Sequence, residues 1–237
     1  MAAGHPDHGG DPGDPRTDGA RLDPLRPEGG NGAELRGHVP EGPRGVVLLL
    51  HGGAVSGGQR VRWSGVAALR MLPFALALTR RAGEELAVLR LKYRVRGWNG
   101  ANRDPVVDAA WALARIRDTW PGLPIALVGH SMGGRVALQL ATEPDVAAVV
   151  ALAPWIEGAT PRPVLGTRVL LVHGTRDGIT SPRRTATLAA RLRDSGIEVR
   201  HLEVEGGDHP MLRHAGLWHD TAADFVTDVL VGPARTS

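Results

Sequence analysis

Pro124-Ile125-Ala126-Leu127-Val128-Gly129-His130-Ser131-Met132-Gly133-Gly134 is the stretch that decides how this chain folds. Pro124 to Val128 is a short apolar run with no polar alternation, which suits a strand buried on both faces. It runs straight into glycines, and Arg135 to Ala141 continues with helical character. The pattern between them is G-x-S-x-G, read as a sharp strand-to-helix turn. Gly129 and Gly133 leave room for neighbouring backbone, and Gly134 allows close helix packing. Such a turn holds the Ser131 hydroxyl out at the carboxyl edge of a sheet, above a helix N-terminus whose dipole favours negative charge.

Working outward, strands and helices alternate. Val46 to Leu50 is a strand ending at His51-Gly52-Gly53, and about Val66 to Arg81 reads as a helix. Leu86 to Leu91 is a strand. Asp104-Pro105 then supplies a cap and a first-turn proline, with Val107, Ala110, Trp111 and Ala114 on one helical face. Val146 to Leu152 and Arg168 to Val172 are strands, Pro182 to Arg193 a helix, Glu198 to Glu203 a strand and Ala215 to Leu230 a closing helix. This alternation predicts an α/β fold with a mostly parallel central sheet and helices on both faces. Ligands bind such sheets at the carboxyl ends of the strands. Only about 15 residues separate the strands 146–152 and 168–172, so no large cap domain fits there.

Residues 44–232 are expected to form this domain. Residues 1–43 read as a disordered tail, rich in Gly, Pro and Asp and too poor in apolar side chains to offset its ordering entropy. Within it, Glu34 to Val39 is the exception, with the pattern of a short edge strand. The chain has 237 residues, 42% of them hydrophobic, and a formal charge of +3. Cysteine is absent, which excludes disulfides and a thiol nucleophile. No dense basic run points to nucleic acid. No signal-like or membrane-spanning stretch is present, so a soluble, cytoplasmic protein is expected.

Three loops carry chemistry. A serine hydroxyl is a poor nucleophile until a base takes its proton, and in folds of this kind the partners follow in the order Ser, acid, His. Asp177, in His173-Gly174-Thr175-Arg176-Asp177-Gly178, and His209, in Gly206-Gly207-Asp208-His209-Pro210, follow Ser131 in that order at the ends of two strands. His130, His173, His201, His214 and His219 are less well placed, and Asp208 is too close to His209 to reach around its ring. An Asp-Gly turn is the plainer alternative for Asp177 alone. Acyl transfer also needs donors for an oxyanion. The backbone amides of Met132 and Gly53 are the candidates, with Ala54 as second choice for the latter.

Leu50-His51-Gly52-Gly53, Gly129 to Gly134, His173 to Asp177 and Gly207-Asp208-His209 resemble the signature loops of the α/β-hydrolase family. The resemblance spans roughly residues 45–230 and is greatest to the small, lidless, dienelactone-hydrolase-like branch. Members named for dienelactone cleavage use a Cys nucleophile, whereas this chain has Ser131. The resemblance implies hydrolysis of an ester, thioester, lactone or amide in a small acyl substrate, without cofactor or metal. An acyltransferase or cyclase on the same triad, and a catalytically idle binding protein, are the alternatives. Trp63, Trp98 and Trp155 are candidate pocket walls, each equally suited to core packing. The segment Val55 to Phe74, the loop Arg96 to Gly100 and Pro154-Trp155 are expected around the site. Arg60, Arg62, Arg94 and Arg96 suit either an anionic substrate or solvated surface.

Overall fold

The computed structural model describes residues 32–232, so expectations for residues 1–31 lie outside the described residues. Seven strands run in chain order: β1 (Glu34–His38), β2 (Gly45–Leu50), β3 (Leu86–Lys92), β4 (Ile125–His130), β5 (Val146–Leu152), β6 (Arg168–Gly174) and β7 (Val199–Val204). The helices are α1 (Val66–Arg70), α2 (Leu72–Ala82), α3 (Asp104–Thr119), α4 (Met132–Gln139), α5 (Pro182–Asp194) and α6 (Ala215–Leu230). One sheet has the order β1-β3-β2-β4-β5-β6-β7, with β1 antiparallel to β3 and every other pair parallel.

The unbroken apolar runs explain the layering. Side chains alternate across a strand, so Val46, Leu48 and Leu50 join a core with α3, α4 and α5, while Val47 and Leu49 join a second core with α2 and α6. Both faces of β2 are fully buried. A polar residue at any of these positions would lose its water on one side or the other.

The chain order creates the functional crevice. From β2 the chain passes through α2 to β3 on one side, then through α3 on the opposite face of the sheet to β4 on the other side of β2. The connections after β2 and β4 therefore diverge, leaving an opening at the carboxyl end of β2.

Three local expectations are corrected. The helical stretch 66–81 is two helices, because Pro73 sits in the first turn of α2 and cannot continue the hydrogen bonding of α1. The buried face of α3 is Pro105, Asp108, Ala109, Ala112, Leu113 and Ile116, while Val107, Ala110 and Ala114 are exposed. A fully buried carboxylate, Asp108, lies in that face and pairs with Arg94. Asp104 does not cap α3 through its side chain; its carboxylate accepts hydrogen bonds from Arg94 (3.1 Å) and Asn99 (2.7 Å) instead.

The domain also begins before residue 44. The segment Glu34 to His38 is the antiparallel edge strand β1, Leu35 is buried, and Glu34 pairs with Lys92 and accepts the Trp63 indole N–H at 2.8 Å. Leu35→Ala should therefore lower stability by about 2–4 kcal/mol in urea unfolding. Deleting residues 1–43 should lower the melting temperature, because it removes β1 and uncovers the edge of β3; an unchanged melting temperature would show that β1 contributes nothing.

Candidate active site

The site is assembled from the carboxyl ends of β2, β4, β6 and β7. Ser131 follows β4 at φ 55° and ψ −115°, a conformation that L-residues rarely adopt. Its surroundings over-determine it. The Ser131 amide donates to the Leu152 carbonyl at 2.9 Å, and its own carbonyl accepts from the amides of Trp155 (3.0 Å) and Arg135 (3.1 Å). Glycine is required on either side for lack of space. A Cβ on Gly129 would lie 2.1 Å from the Gly133 carbonyl oxygen, and one on Gly133 would lie 2.1 Å from the Leu50 carbonyl oxygen.

His209, after β7, places Nε2 at 3.1 Å from Ser131 Oγ and Nδ1 at 2.8 Å from Asp177 Oδ2. The ionised carboxylate has no proton to give, so Nδ1–H is the donor and Nε2 is left to accept from the serine hydroxyl. Asp177, after β6, is held by many donors. Its Oδ1 accepts the amides of Ile179 (2.8 Å) and Thr180 (2.9 Å), and its Oδ2 accepts the Thr180 hydroxyl (2.7 Å) and His173 Nε2–H (3.1 Å). Burial alone pushes this carboxyl up. The bonds from His173, His209 and Thr180 outweigh it and hold the group well below the usual carboxylate range.

Three buried histidines, His51, His130 and His173, make up the surrounding frame. His173 donates from Nε2 to Asp177, so its Nδ1 accepts the Thr185 hydroxyl at 2.7 Å. His130 lies against the site, with Nε2 2.9 Å from the His209 carbonyl oxygen and ring centroids 4.8 Å apart. His51 donates from Nδ1 to the Gly52 carbonyl and accepts the Tyr93 amide at 3.3 Å. Asp208, by contrast, faces its own turn, accepting the amides of Leu212 and Arg213.

Gly53 and Met132 lie side by side. A Cβ on Gly53 would fall 2.3 Å from Met132 Cε. Among the described residues neither backbone amide donates to a protein acceptor. A cleft of about 820 Å³ opens over Ser131 and His209, floored by His51, Gly52 and Gly53 and walled by the segment after β2. Of the expected walls, the 55–74 segment and Arg96 line it. The three tryptophans do not. Trp98 is buried and meets Trp155 edge-on at 5.9 Å, with the Arg135 guanidinium 4.0 Å and 4.4 Å from their rings. Cation–π packing against α4 holds both there. Trp63 is tied to the β1–β3 edge by Glu34 and stacks beneath Arg36 and Arg90.

Comparison with known proteins agrees with this architecture. The profile of the family described as serine aminopeptidase, S33, matches residues 93–166, less than half of the chain, including Ser131 but neither Asp177 nor His209. No curated protein matches the sequence at a significant level. Among solved structures, an α/β hydrolase from a Medee basin deep-sea metagenome library shares 21% identity over 84% of this chain and 93% of that one, with a TM-score of 0.66. A lidless α/β serine hydrolase from Xanthomonas campestris shares 15% identity over 85% and 91%, with a TM-score of 0.63. An esterase from Thermogutta terrifontis, solved with butyrate bound, shares 17% identity over 86% and 92%, also with a TM-score of 0.63. The chain has the α/β-hydrolase fold, and residues 153–167 between β5 and β6 carry no cap domain. No helix among the described residues is long and apolar enough to cross a membrane.

Burial holds His51 at about 4, and burial with the nearby His209 charge holds His130 at about 3. Both stay neutral in the folded protein at pH values where an unfolded chain would protonate them, from about 6.5 downward. Their contribution to stability is full above pH 6.5 and falls as pH drops toward those values. Unfolding free energy should decline by about 1.4 kcal/mol per pH unit for each histidine below about pH 6. Urea midpoints at about pH 7 and about pH 5 check this, and equal midpoints would contradict it.

Proposed function

We propose that this protein is a serine hydrolase that cleaves an ester-type bond (ester, thioester or lactone) through an acyl-enzyme on Ser131. The observation that carries the reading is the continuous hydrogen-bonded chain from Ser131 Oγ through His209 to Asp177, at 3.1 Å and 2.8 Å, at the floor of a cleft.

The chemistry follows from the proton positions. As Ser131 Oγ attacks the substrate carbonyl carbon, its proton passes to His209 Nε2. The ring becomes a cation, and the Asp177 carboxylate beside Nδ1–H stabilises it. The carbonyl oxygen takes the electron pair and is met by the amides of Met132 and Gly53, which have no competing protein acceptor among the described residues. Collapse of the intermediate expels the leaving group, which takes the proton from His209. Water then attacks the acyl-enzyme, giving a proton to His209 and restoring the Ser131 hydroxyl on release of the acid. No step requires a cofactor.

His173 and Thr180 act as positioning residues in this scheme. They fill the remaining lone pairs of Asp177, so the carboxylate cannot swing away from His209. The similar esterase from Thermogutta terrifontis, solved with butyrate bound, supports an acyl ester as the type of substrate.

Ser131→Ala should abolish ester turnover and fluorophosphonate labelling while leaving the melting temperature close to that of the parent. Near-normal turnover would refute the nucleophile assignment. Asp177→Asn should lower kcat on the order of 10³–10⁴-fold by favouring the wrong His209 tautomer. Asp208→Asn should stay near the parent rate. The reverse ranking would transfer the acid's role to Asp208.

A further inference from the structure

Arg60, Arg62, Arg70 and Arg96 all line the cleft over Ser131, and no Asp or Glu lines it. None of the four side chains forms an ion pair or a side-chain hydrogen bond among the described residues. Other arginines near by are neutralised: Arg94 is engaged by Asp104 and Asp108, and Arg135 stacks on two tryptophans beside Glu157. The lining of this cleft thus carries four cationic side chains and no acidic one.

Their placement is built into the backbone. An antiparallel bridge joins Arg60 to Val95, the Val61 amide donates to the Arg94 carbonyl at 3.3 Å, and the Arg96 amide donates to the Gln59 carbonyl at 3.0 Å. These contacts bring Arg60, Arg62 and Arg96 to one wall. Arg70, at the end of α1, lines the same cleft. Four like charges around one opening repel one another and create a focused positive field. Guanidinium groups match carboxylate and phosphate oxygens in geometry as well as charge. Val66 and Ile179, both largely exposed, line the same cleft and add apolar surface to it.

We infer that the substrate of the proposed hydrolase is an anion: an acyl ester, thioester or lactone whose reacting carbonyl is joined through a short apolar segment to a carboxylate or phosphate held by Arg60, Arg62, Arg70 and Arg96. This inference rests on the hydrolase reading and narrows it.

The test compares two p-nitrophenyl esters of similar size, neutral p-nitrophenyl valerate and anionic mono-p-nitrophenyl glutarate. The anionic ester should have a kcat/KM at least about tenfold higher at low ionic strength, as expected for a charge-assisted contact. The preference should shrink as salt screens the charges. It should also fall in an Arg62→Gln, Arg96→Gln double variant, and it should survive Arg200→Gln on β7, away from the cleft. Competition against the neutral ester by glutarate alone assigns a carboxylate, and by phenyl phosphate alone a phosphate. The inference is overturned if the neutral ester is turned over by Ser131 with equal or greater efficiency, or if neither anion competes. Failure of the underlying reading looks different: neither ester is cleaved and a fluorophosphonate does not label Ser131.

Discussion

The α4 backbone meets the ends of β2 and β4 at a separation that no side chain tolerates, with the Gly133 position against the Leu50 carbonyl and the Gly129 position against Gly133 itself. Everything else in the site is referred to that contact. It sets where α4 begins, so it sets the direction of the Ser131 side chain. It forces Ser131 into a positive φ, which the carbonyl of Leu152 and the amides of Trp155 and Arg135 then maintain. It also brings the Met132 side chain beside Gly53. An alanine at either glycine would push α4 away from the sheet and pull the hydroxyl out of reach of His209. The strain at Ser131 is tolerable because the two flanking cores, buried on both faces of the sheet, leave the turn nowhere to relax.

Asp177 is held by a second kind of constraint, saturation of its acceptors. Two histidines, two backbone amides and one hydroxyl converge on the Asp177 carboxylate. A buried charge is costly unless satisfied, and this one is satisfied by groups that also fix its direction. His173 is in turn oriented by Thr185 from α5, so the packing of that helix reaches the carboxylate through two hydrogen bonds.

Much of the fold was legible because its strands are unbroken apolar runs and its loops carry Gly, Pro and Asp at turning points. Ser131, Asp177 and His209 were legible as a group because each follows a strand, and the topology brings strand ends together. What escaped is also physical. Asp108 interrupts the apolar stripe of α3, so the hydrophobic pattern pointed to the wrong face. Pro73 divides one apparent helix because a proline starts α2 inside an otherwise continuous pattern. For the tryptophans, pocket wall and core packing stay open in the sequence because size and apolarity say nothing of direction; an arginine beside Trp98 and Trp155, and a glutamate at Trp63, supply the direction instead. His130 and His51 are supporting groups whose partners include backbone groups far along the chain, the His209 carbonyl and the Tyr93 amide, and His173 reaches Thr185 on α5; no spacing in the chain announces these partners.

The wall that carries Arg60, Arg62 and Arg96 is joined to the rest of the protein by isolated bridges at Ala54–Gly97 and Arg60–Val95, outside the main ladder. The machinery at Ser131 is joined by the ladder itself. Substitutions in the segment after β2 therefore change the walls of the cleft, while the turn at Ser131 is held by its own contacts with Leu152, Trp155 and Arg135. A scaffold of this kind lets the surface over a fixed residue vary through a single loop.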